Sequence, residues 1–292
     1  MDNAVATLLG EALPPNLEEL VLGFVSTGLG DEGAKSLGAS LGGCKRLRHV
    51  RLDFQNTRVG DPGIVELSKS LGSLPALHDL KLGLSETLLT DGGISGLAEA
   101  LKSSAAFGRL VENDPSTDWP DRDVGANRRL ELDLGKTSAS DKGAQALSDA
   151  VDSLAPLLAY NLNVYETGIG DVGLGRVAKS LEGQQHLRYL NLVLANTRVS
   201  ETLMLNFRGC TRILGPGIMR CADPIRSLRS LRSIKLNLRN CTELQKEAII
   251  TLAEAIGCNL SLEAVSLILL GTSLGPVLKG SGAFDALKSV TL

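Results

Sequence analysis

The sequence predicts an α/β solenoid, with a parallel sheet on the concave face and helices on the convex face. The first observation is a 30-residue spacing between the leucines that begin three successive units: Leu17, Leu47 and Leu77. The second is a change of period within one unit, residues 47–76. Val50 and Leu52 alternate as in a strand, and the apolar positions from Ile64 onward have helical spacing. The third is composition: 43% of the 292 residues are hydrophobic but only 3% are aromatic, which favours a thin aliphatic core. One unit cannot bury its own apolar face, whereas a stack can.

Residues 1–16 are predicted to form an N-terminal capping helix, and residues 17–292 the solenoid. The apolar pattern of residues 4–13 matches the helical half of a preceding repeat, about two residues out of register. Because a solenoid must protect its first strand edge, we expect this helix to cover the open end of that strand.

Each unit joins its strand to its helix through a glycine-rich turn, such as Thr-Arg-Val-Gly-Asp-Pro-Gly at 57–63. Aspartates recur where a helix N-cap is needed, and we expect each to cap its own helix: Asp31, Asp61, Asp91, Asp141 and Asp171. Glycines follow two residues later in the first three units, where close backbone packing excludes a Cβ: Gly33, Gly63 and Gly93.

These units resemble leucine-rich repeats of the ribonuclease-inhibitor-like class over about residues 17–292. The resemblance rests on LxxLxL-type strand starts, such as Leu47/Val50/Leu52, and on the Gly-Asp-x-Gly helix starts. It implies a horseshoe whose concave sheet faces a partner. One departure is threonine at the buried ladder position that is usually Asn or Cys, where its hydroxyl can donate to a neighbouring carbonyl. This threonine recurs at Thr27, Thr57, Thr87, Thr137, Thr167, Thr197 and Thr272.

Three segments interrupt the regular frame. Residues 112–127 form an irregular insertion with two prolines, five acidic residues and the single tryptophan; it reads as a loose loop or a partner-binding loop, and its spacing fits no EF-hand. The repeat near 187–202 is shortened and lacks a helix. Residues 205–239 contain eight Lys or Arg against one acid, which suits solvated surface, an acidic protein partner or, less well, nucleic acid.

The sequence gives no sign of an enzyme, a cofactor or a metal site. Residues 168–173 fit the pattern GxGxxG, but they are the repeat's ordinary turn, and residues 28–33 fit it too. The three histidines are scattered without a nucleophile or ligand partner, and the recurring aspartates follow the repeat period as structural caps.

The concave sheet is therefore the candidate binding surface. Alternation along the strands turns the residues between the buried leucines outward, and mixed charge with exposed tyrosine is typical of interfaces. The predicted partner-binding residues are His49, Arg51, Asp53, Asp79, Lys81, Arg129, Glu131, Asp133, Tyr165, Tyr189, Arg208, Lys235 and Arg239.

Together these features predict a non-enzymatic protein-interaction scaffold that binds a protein on its concave face. Two alternatives stay open: regulation of a small GTPase, by analogy of fold alone, and weak nucleic-acid binding through residues 205–239. We expect a cytoplasmic protein with no membrane partner, because the sequence has no signal segment, no apolar run of membrane-spanning length and five cysteines without metal-type spacing.

Overall fold

The computed structural model describes the part of the chain that carries the regular repeats. The described residues are 3–104, 106–107, 128–155, 157–181, 184, 189–193, 197, 202–206, 226, 233–238, 246–259, 262–269, 272 and 290–291. Seven helices lie among them: α1 Asn3–Glu11, α2 Asp31–Leu41, α3 Asp61–Gly72, α4 Asp91–Lys102, α5 Asp141–Ser153, α6 Asp171–Ser180 and α7 Lys246–Cys258. The strands are β1 Glu19–Gly23, β2 His49–Asp53, β3 Asp79–Gly83, β4 Arg129–Asp133, β5 Ala159–Asn163, β6 Tyr189–Val193, β7 Thr202–Asn206, β8 Ser233–Asn237, β9 Ala264–Ile268 and β10 Val290–Thr291.

Strands and helices alternate from β1 to β6, and each strand pairs in parallel with the strand of the next repeat. The register is constant: Leu20 lies beside Val50, Val50 beside Leu80, and Leu80 beside Leu130. The helices stack in the same order, from α1 against α2 to α5 against α6. The predicted α/β leucine-rich-repeat solenoid is thereby confirmed.

The core lies between the sheet and the helix layer, and it follows the two periods of the sequence. In β2 the side chains of Val50 and Leu52 are buried while Arg51 is exposed, as strand alternation requires. In α3 the buried face includes Ile64, Leu67 and Leu71 at helical spacing. Each repeat therefore supplies a few aliphatic side chains to one continuous apolar layer.

The buried threonine of each turn closes that turn on itself. The Thr57 hydroxyl donates to the Phe54 carbonyl oxygen at 2.7 Å, and the Thr87 hydroxyl donates to the Leu84 carbonyl oxygen at 2.6 Å. The same bond, from a threonine to the carbonyl three residues back, occurs at Thr27, Thr137, Thr167 and Thr272. A polar group at a buried position is thus satisfied within its own repeat.

Asp31, Asp61, Asp91 and Asp141 do not cap their own helices, and that expectation is wrong for these four. Asp31 is the first residue of α2, and the N-cap is Gly30, which has no side chain to accept a hydrogen bond. The Asp31 carboxylate instead accepts hydrogen bonds from the next repeat, from the Gly60 amide at 2.7 Å and the Gly63 amide at 3.0 Å. These are orphan amides at the start of α3, so each aspartate joins two repeats.

The same inter-repeat bridge recurs along the solenoid. Asp91 accepts hydrogen bonds from the amides of Ser140 and Gly143, and Asp141 from those of Gly170 and Gly173. The bridge also explains why a glycine recurs two residues after the aspartate of each helix start. A Cβ on Gly63 would lie 2.6 Å from Asp31 Oδ1 and 2.9 Å from Asp31 Cα, so the expected exclusion of a Cβ is confirmed.

Helix α1 extends the helix layer of the solenoid. It packs against α2, and its Asn3 Oδ1 accepts a hydrogen bond from the Gly30 amide at 2.8 Å. Asn3 therefore takes the place that an aspartate holds in later repeats. It lies 28 residues before Asp31, which agrees with a half-repeat two residues out of register.

The parallel pairing breaks after β6. Strands β7, β8, β9 and β10 form a second parallel sheet, and β7 pairs with β8 rather than with β6. Only eight residues separate β6 from β7. Parallel neighbours need a crossover of about a dozen residues or more, so the shortened repeat cannot place β7 next to β6. The insertion 112–127 and most of 205–239 lie outside the described residues.

Candidate functional site

The outward face of the first sheet carries three rows of side chains that run across the strands in register. The strand-start row contains Glu19, His49, Asp79, Arg129 and Ala159. The middle row contains Val21, Arg51, Lys81, Glu131 and Asn161. The strand-end row contains Gly23, Asp53, Gly83, Asp133 and Asn163. These rows arise because successive side chains of a strand alternate between faces and the register does not shift.

Asp79 is the centre of a charged cluster in the strand-start row. Its Oδ2 lies 3.2 Å from His49 Nδ1 and 3.7 Å from a terminal nitrogen of Arg51. Burial would raise the pKa of Asp79, but the hydrogen bond from His49 and the charges of Arg129, His49 and Arg51 together hold it below its ordinary value. Asp79 therefore remains ionised and orients the surrounding cations.

Lys81 and Glu131 form the ion pair of the middle row. Lys81 Nζ lies 3.1 Å from Glu131 Oε2, and their side chains are 55% and 30% exposed. Their strands are neighbours, so the pair spans the centre of the sheet. Because both side chains reach solvent, the pair adds little stability and stays available to a partner.

The strand-end row holds two carboxylates on either side of a glycine. Asp53 and Asp133 flank Gly83 in register. Burial raises the pKa of Asp133, and the nearby charge of Asp53 raises it further, against the Gly135 amide, Lys81 and Asn163, which favour the ionised form. In the described chain no cation lies within ion-pair distance of Asp53 or Asp133.

The turns that follow the strands form a rim beside this row. Tyr165 lies in the turn after β5, and its hydroxyl is 3.4 Å from Ser85 Oγ, two repeats away. The tyrosine ring crosses Gly135, since a Cβ there would collide with it. Lys136 Nζ lies 5.7 Å from the ring centroid and 3.2 Å from Glu86 Oε1. The tyrosine is thus fixed along the rim by three side contacts.

The predicted binding residues divide into four groups. Eight occupy outward positions of β2, β3 and β4: His49, Arg51, Asp53, Asp79, Lys81, Arg129, Glu131 and Asp133. Two of them, Asp79 and Arg129, are only 5% and 8% exposed, so they support their neighbours rather than offer surface. Tyr165 belongs to the rim. Tyr189 is the first residue of β6, and Lys235 lies within β8. Arg208 and Arg239 lie outside the described residues.

Sequence reasoning missed the rim residues Glu86 and Lys136. Both have positive φ, at 57° and 52°, as do Ser26, Asn56 and Glu166 at equivalent places. The left-handed conformation of a non-glycine residue cannot be read from residue type. The only available signal is position, since each lies one residue before the recurring threonine.

The three glycine amides of the turn at 168–173 are already hydrogen-bonded, and the Gly168 amide donates to the Ala139 carbonyl oxygen at 2.8 Å. The amides of Gly170 and Gly173 donate to Asp141 Oδ1 at 2.7 and 2.9 Å. A carboxylate of the preceding repeat thus occupies the place that a dinucleotide phosphate would need. In the part of the chain that the structure describes, no group of three acidic, histidine or cysteine side chains is arranged to hold a metal. No helix among the described residues is long and apolar enough to cross a membrane.

A comparison of the sequence with models of protein families finds no match, and neither does a comparison with curated protein sequences. Solved structures do match. An internalin C2 from Listeria monocytogenes is 16% identical, with 99% of this chain and 91% of that chain covered and a TM-score of 0.35. An internalin (InlF) from Listeria monocytogenes is 12% identical, with 99% and 94% covered and a TM-score of 0.36. At such identities and scores the likeness carries no argument about what this chain binds.

Proposed function

We propose that this chain is a non-enzymatic scaffold that binds a protein on the outward face of the sheet β1–β6. One observation carries the proposal: the rows of that face combine charged, amide and apolar side chains in constant register, and the side chains of Arg51 and Lys81 at its centre are 43% and 55% exposed. The inward side chains of β2 to β5 belong to the buried core. A continuous, rigid and chemically mixed surface without reacting groups suits recognition rather than catalysis.

The repeats fit the ribonuclease-inhibitor-like class, and we include that assignment in the proposal. The convex side of the first sheet consists of α-helices of 10 to 13 residues from α2 to α6, preceded by Gly-Asp or equivalent helix starts. A leucine-rich repeat has either a helix or a 3₁₀ segment at that place, and the repeats from α2 to α6 have helices. The cytoplasm is the proposed location, because the described cysteines Cys44 and Cys258 are free thiols.

Two substitutions that change the charge by the same amount test the proposal. Arg51→Glu changes the concave face, and Lys69→Glu changes α3 on the convex face; the two side chains are 43% and 64% exposed. Wild type and both variants serve as bait in lysate of the source cells, with quantitative mass spectrometry of what is retained. We expect at least one protein to be retained by wild type and Lys69→Glu and lost by Arg51→Glu.

Circular dichroism of both variants must first show an unchanged fold. If the Arg51→Glu variant still retains every protein that wild type retains, and the Lys69→Glu variant loses them, the binding surface is the helix layer and the proposal fails. No observation on the described residues favours a small GTPase or nucleic acid as the partner.

A further inference from the structure

Strand β1 forms an open edge of the first sheet. The Phe24 amide donates to the Asp53 carbonyl oxygen at 2.7 Å, which directs the even-numbered residues of β1 toward β2. Because successive residues of a strand direct their main-chain groups to opposite sides, the odd-numbered residues of β1 point away from β2. These residues are exposed, and no main-chain hydrogen bond occurs on that side in the described chain: Glu19, Val21 and Gly23. Their N–H and C=O groups have the spacing that an extended chain requires.

The helix layer extends one element beyond β1. Helix α1 packs against α2, and Asn3 fixes it there by accepting a hydrogen bond from the Gly30 amide. It therefore does not cover the edge of β1 as the sequence led us to expect. In the described chain no strand lies beside β1 on this side, so α1 is a helix without a strand of its own. We call the place beside β1 and against α1 the open strand position.

The core side of the open strand position is apolar and incompletely covered. Leu9 of α1 corresponds to Leu37 of α2, which follows it by 28 residues. Leu9 is 37% exposed, whereas Leu37 is 0% exposed. Three more leucines at this end of the core are only partly buried: Leu13, Leu17 and Leu22. An added strand would cover these leucines, as β1 and β2 cover the leucines of α2 and α3.

The outward side of β1 is also apolar, unlike that of the strands that follow. Val21 is 61% exposed in the middle row, where β2 and β3 have Arg51 and Lys81. Val25, in the turn after β1, is exposed as well. Edge strands that avoid pairing carry lysine, proline or a bulge, whereas an exposed β-branched residue favours pairing. The main chain and both faces of this edge thus suit one further strand.

We propose that the open strand position receives an extended segment of a protein partner, which pairs in parallel with β1 and packs its inward side chains on Leu9. Glu19 lies in the strand-start row, so a lysine or arginine of the segment suits the place beside it, and an apolar residue suits the place beside Val21. A second copy paired through its own β1 does not fit, because both α1 helices would need the same space. The site lies beside the concave rows and does not depend on the function proposed for them.

The probe is a fluorescent synthetic peptide with the sequence of residues 128–136 and the change Glu131→Val. This sequence of the β4 region has the required pattern, because Arg129 would lie beside Glu19 while Leu130 and Leu132 face α1. Fluorescence anisotropy measures its affinity for the folded protein.

Two methylated forms of this peptide test the direction of pairing. In a parallel pair the Leu132 amide would donate to the Val21 carbonyl oxygen, whereas the Asp133 amide would point away from β1. N-methylation of the Leu132 amide therefore removes a bond to β1. N-methylation of the Asp133 amide is the matched control, since it leaves the bonds to β1 in place.

Val21→Glu tests the edge from the side of the protein, because it places a second negative charge beside Glu19. Leu88→Glu is the matched control: Leu88 is 66% exposed in the turn after β3, away from the open strand position. Circular dichroism must show an unchanged fold for both variants. Arg51→Glu, which changes the concave rows, should leave peptide binding as in wild type, so this inference and the proposed function can fail separately.

We expect Val21→Glu, and wild type with the Leu132-methylated peptide, to show about tenfold weaker binding, as expected for one lost hydrogen bond or an unfavourable charge. Leu88→Glu and the Asp133-methylated peptide should match wild type and the unmodified peptide. No saturable binding up to about 1 mM peptide, or equal affinity of the two methylated peptides, would overturn the inference. A larger loss from methylation at Asp133 would show an antiparallel segment and contradict the proposed pairing. Sedimentation equilibrium that shows a dimer of wild type dissociated by Val21→Glu would place a second copy at this edge and would also overturn it.

Discussion

Replacement of Asp31 by alanine should destabilise the repeat that follows it, not the one that contains it. The Asp31 carboxylate accepts hydrogen bonds from the amides of Gly60 and Gly63, at 2.7 and 3.0 Å. Both glycines are buried, so water cannot easily replace the lost acceptor. An unsatisfied buried donor costs about 1–3 kcal/mol, and two of them set the expected loss at about 2–6 kcal/mol. Asp31→Asn keeps an oxygen acceptor and should lose about 1 kcal/mol.

Glu32→Ala is the matched control, since Glu32 is next in sequence and 76% exposed, and it forms a surface ion pair with Lys35. Such pairs contribute about 0.5 kcal/mol or less. Urea unfolding followed by circular dichroism gives the free energies, and hydrogen exchange with mass spectrometry locates the change. We expect faster exchange at the amides of Gly60 and Gly63. Faster exchange confined to the start of α2, or a loss no larger than that of Glu32→Ala, would refute inter-repeat capping.

Three further predictions concern the core, the turn and the charged rows. Leu52→Ala should cost about 2.7–5 kcal/mol in urea unfolding, because the side chain is 1% exposed and leaves a cavity; a cost below 1 kcal/mol would contradict the assigned core. Gly63→Ala should destabilise by about 1–3 kcal/mol through overpacking, whereas Gly175→Ala should stabilise by about 0.5–1 kcal/mol; reversed signs would exclude the close approach. Asp79 and Asp133 should show opposite pH dependence. Since its folded pKa is lowered from 3.8, Asp79 stabilises at neutral pH and loses this effect as pH falls through that lowered pKa, so Asp79→Asn should destabilise at pH 7 and differ less from wild type in acid. Since its folded pKa is raised above 3.8, Asp133 opposes folding once ionised, so Asp133→Asn should stabilise at pH 7 with a gain that disappears below pH 3.8; the same sign for both variants would contradict the assigned surroundings.

Local pattern was enough to predict the strands, the helices and their order. The alternation around Arg51 determines which side chains face outward, and a constant 30-residue period keeps that assignment valid from one repeat to the next. The threonine hydroxyl could also be predicted, because its acceptor lies three residues away in the same turn. These features depend on neighbours in sequence, which a pattern contains.

Contacts between repeats were harder to predict. The aspartate of each Gly-Asp-x-Gly start was assigned to its own helix, yet Asp31 bonds to amides 29 and 32 residues later. Asp79 looked like an exposed binding residue, but His49 and Arg51 close over it from an adjacent strand. The division into two sheets depends on the length of the connection between β6 and β7. The pattern of apolar positions does not show that this connection is too short for parallel pairing.

The most direct test of a concave binding face is a photocrosslink from its centre. Benzoylphenylalanine at Lys81 places the reactive group on β3, and the same residue at Lys69 places it on α3; the native side chains are 55% and 64% exposed. Irradiation of cells that express each version, followed by mass spectrometry, should give a protein adduct from position 81 that is absent from position 69. The same adduct from position 69 and none from position 81 would contradict the account.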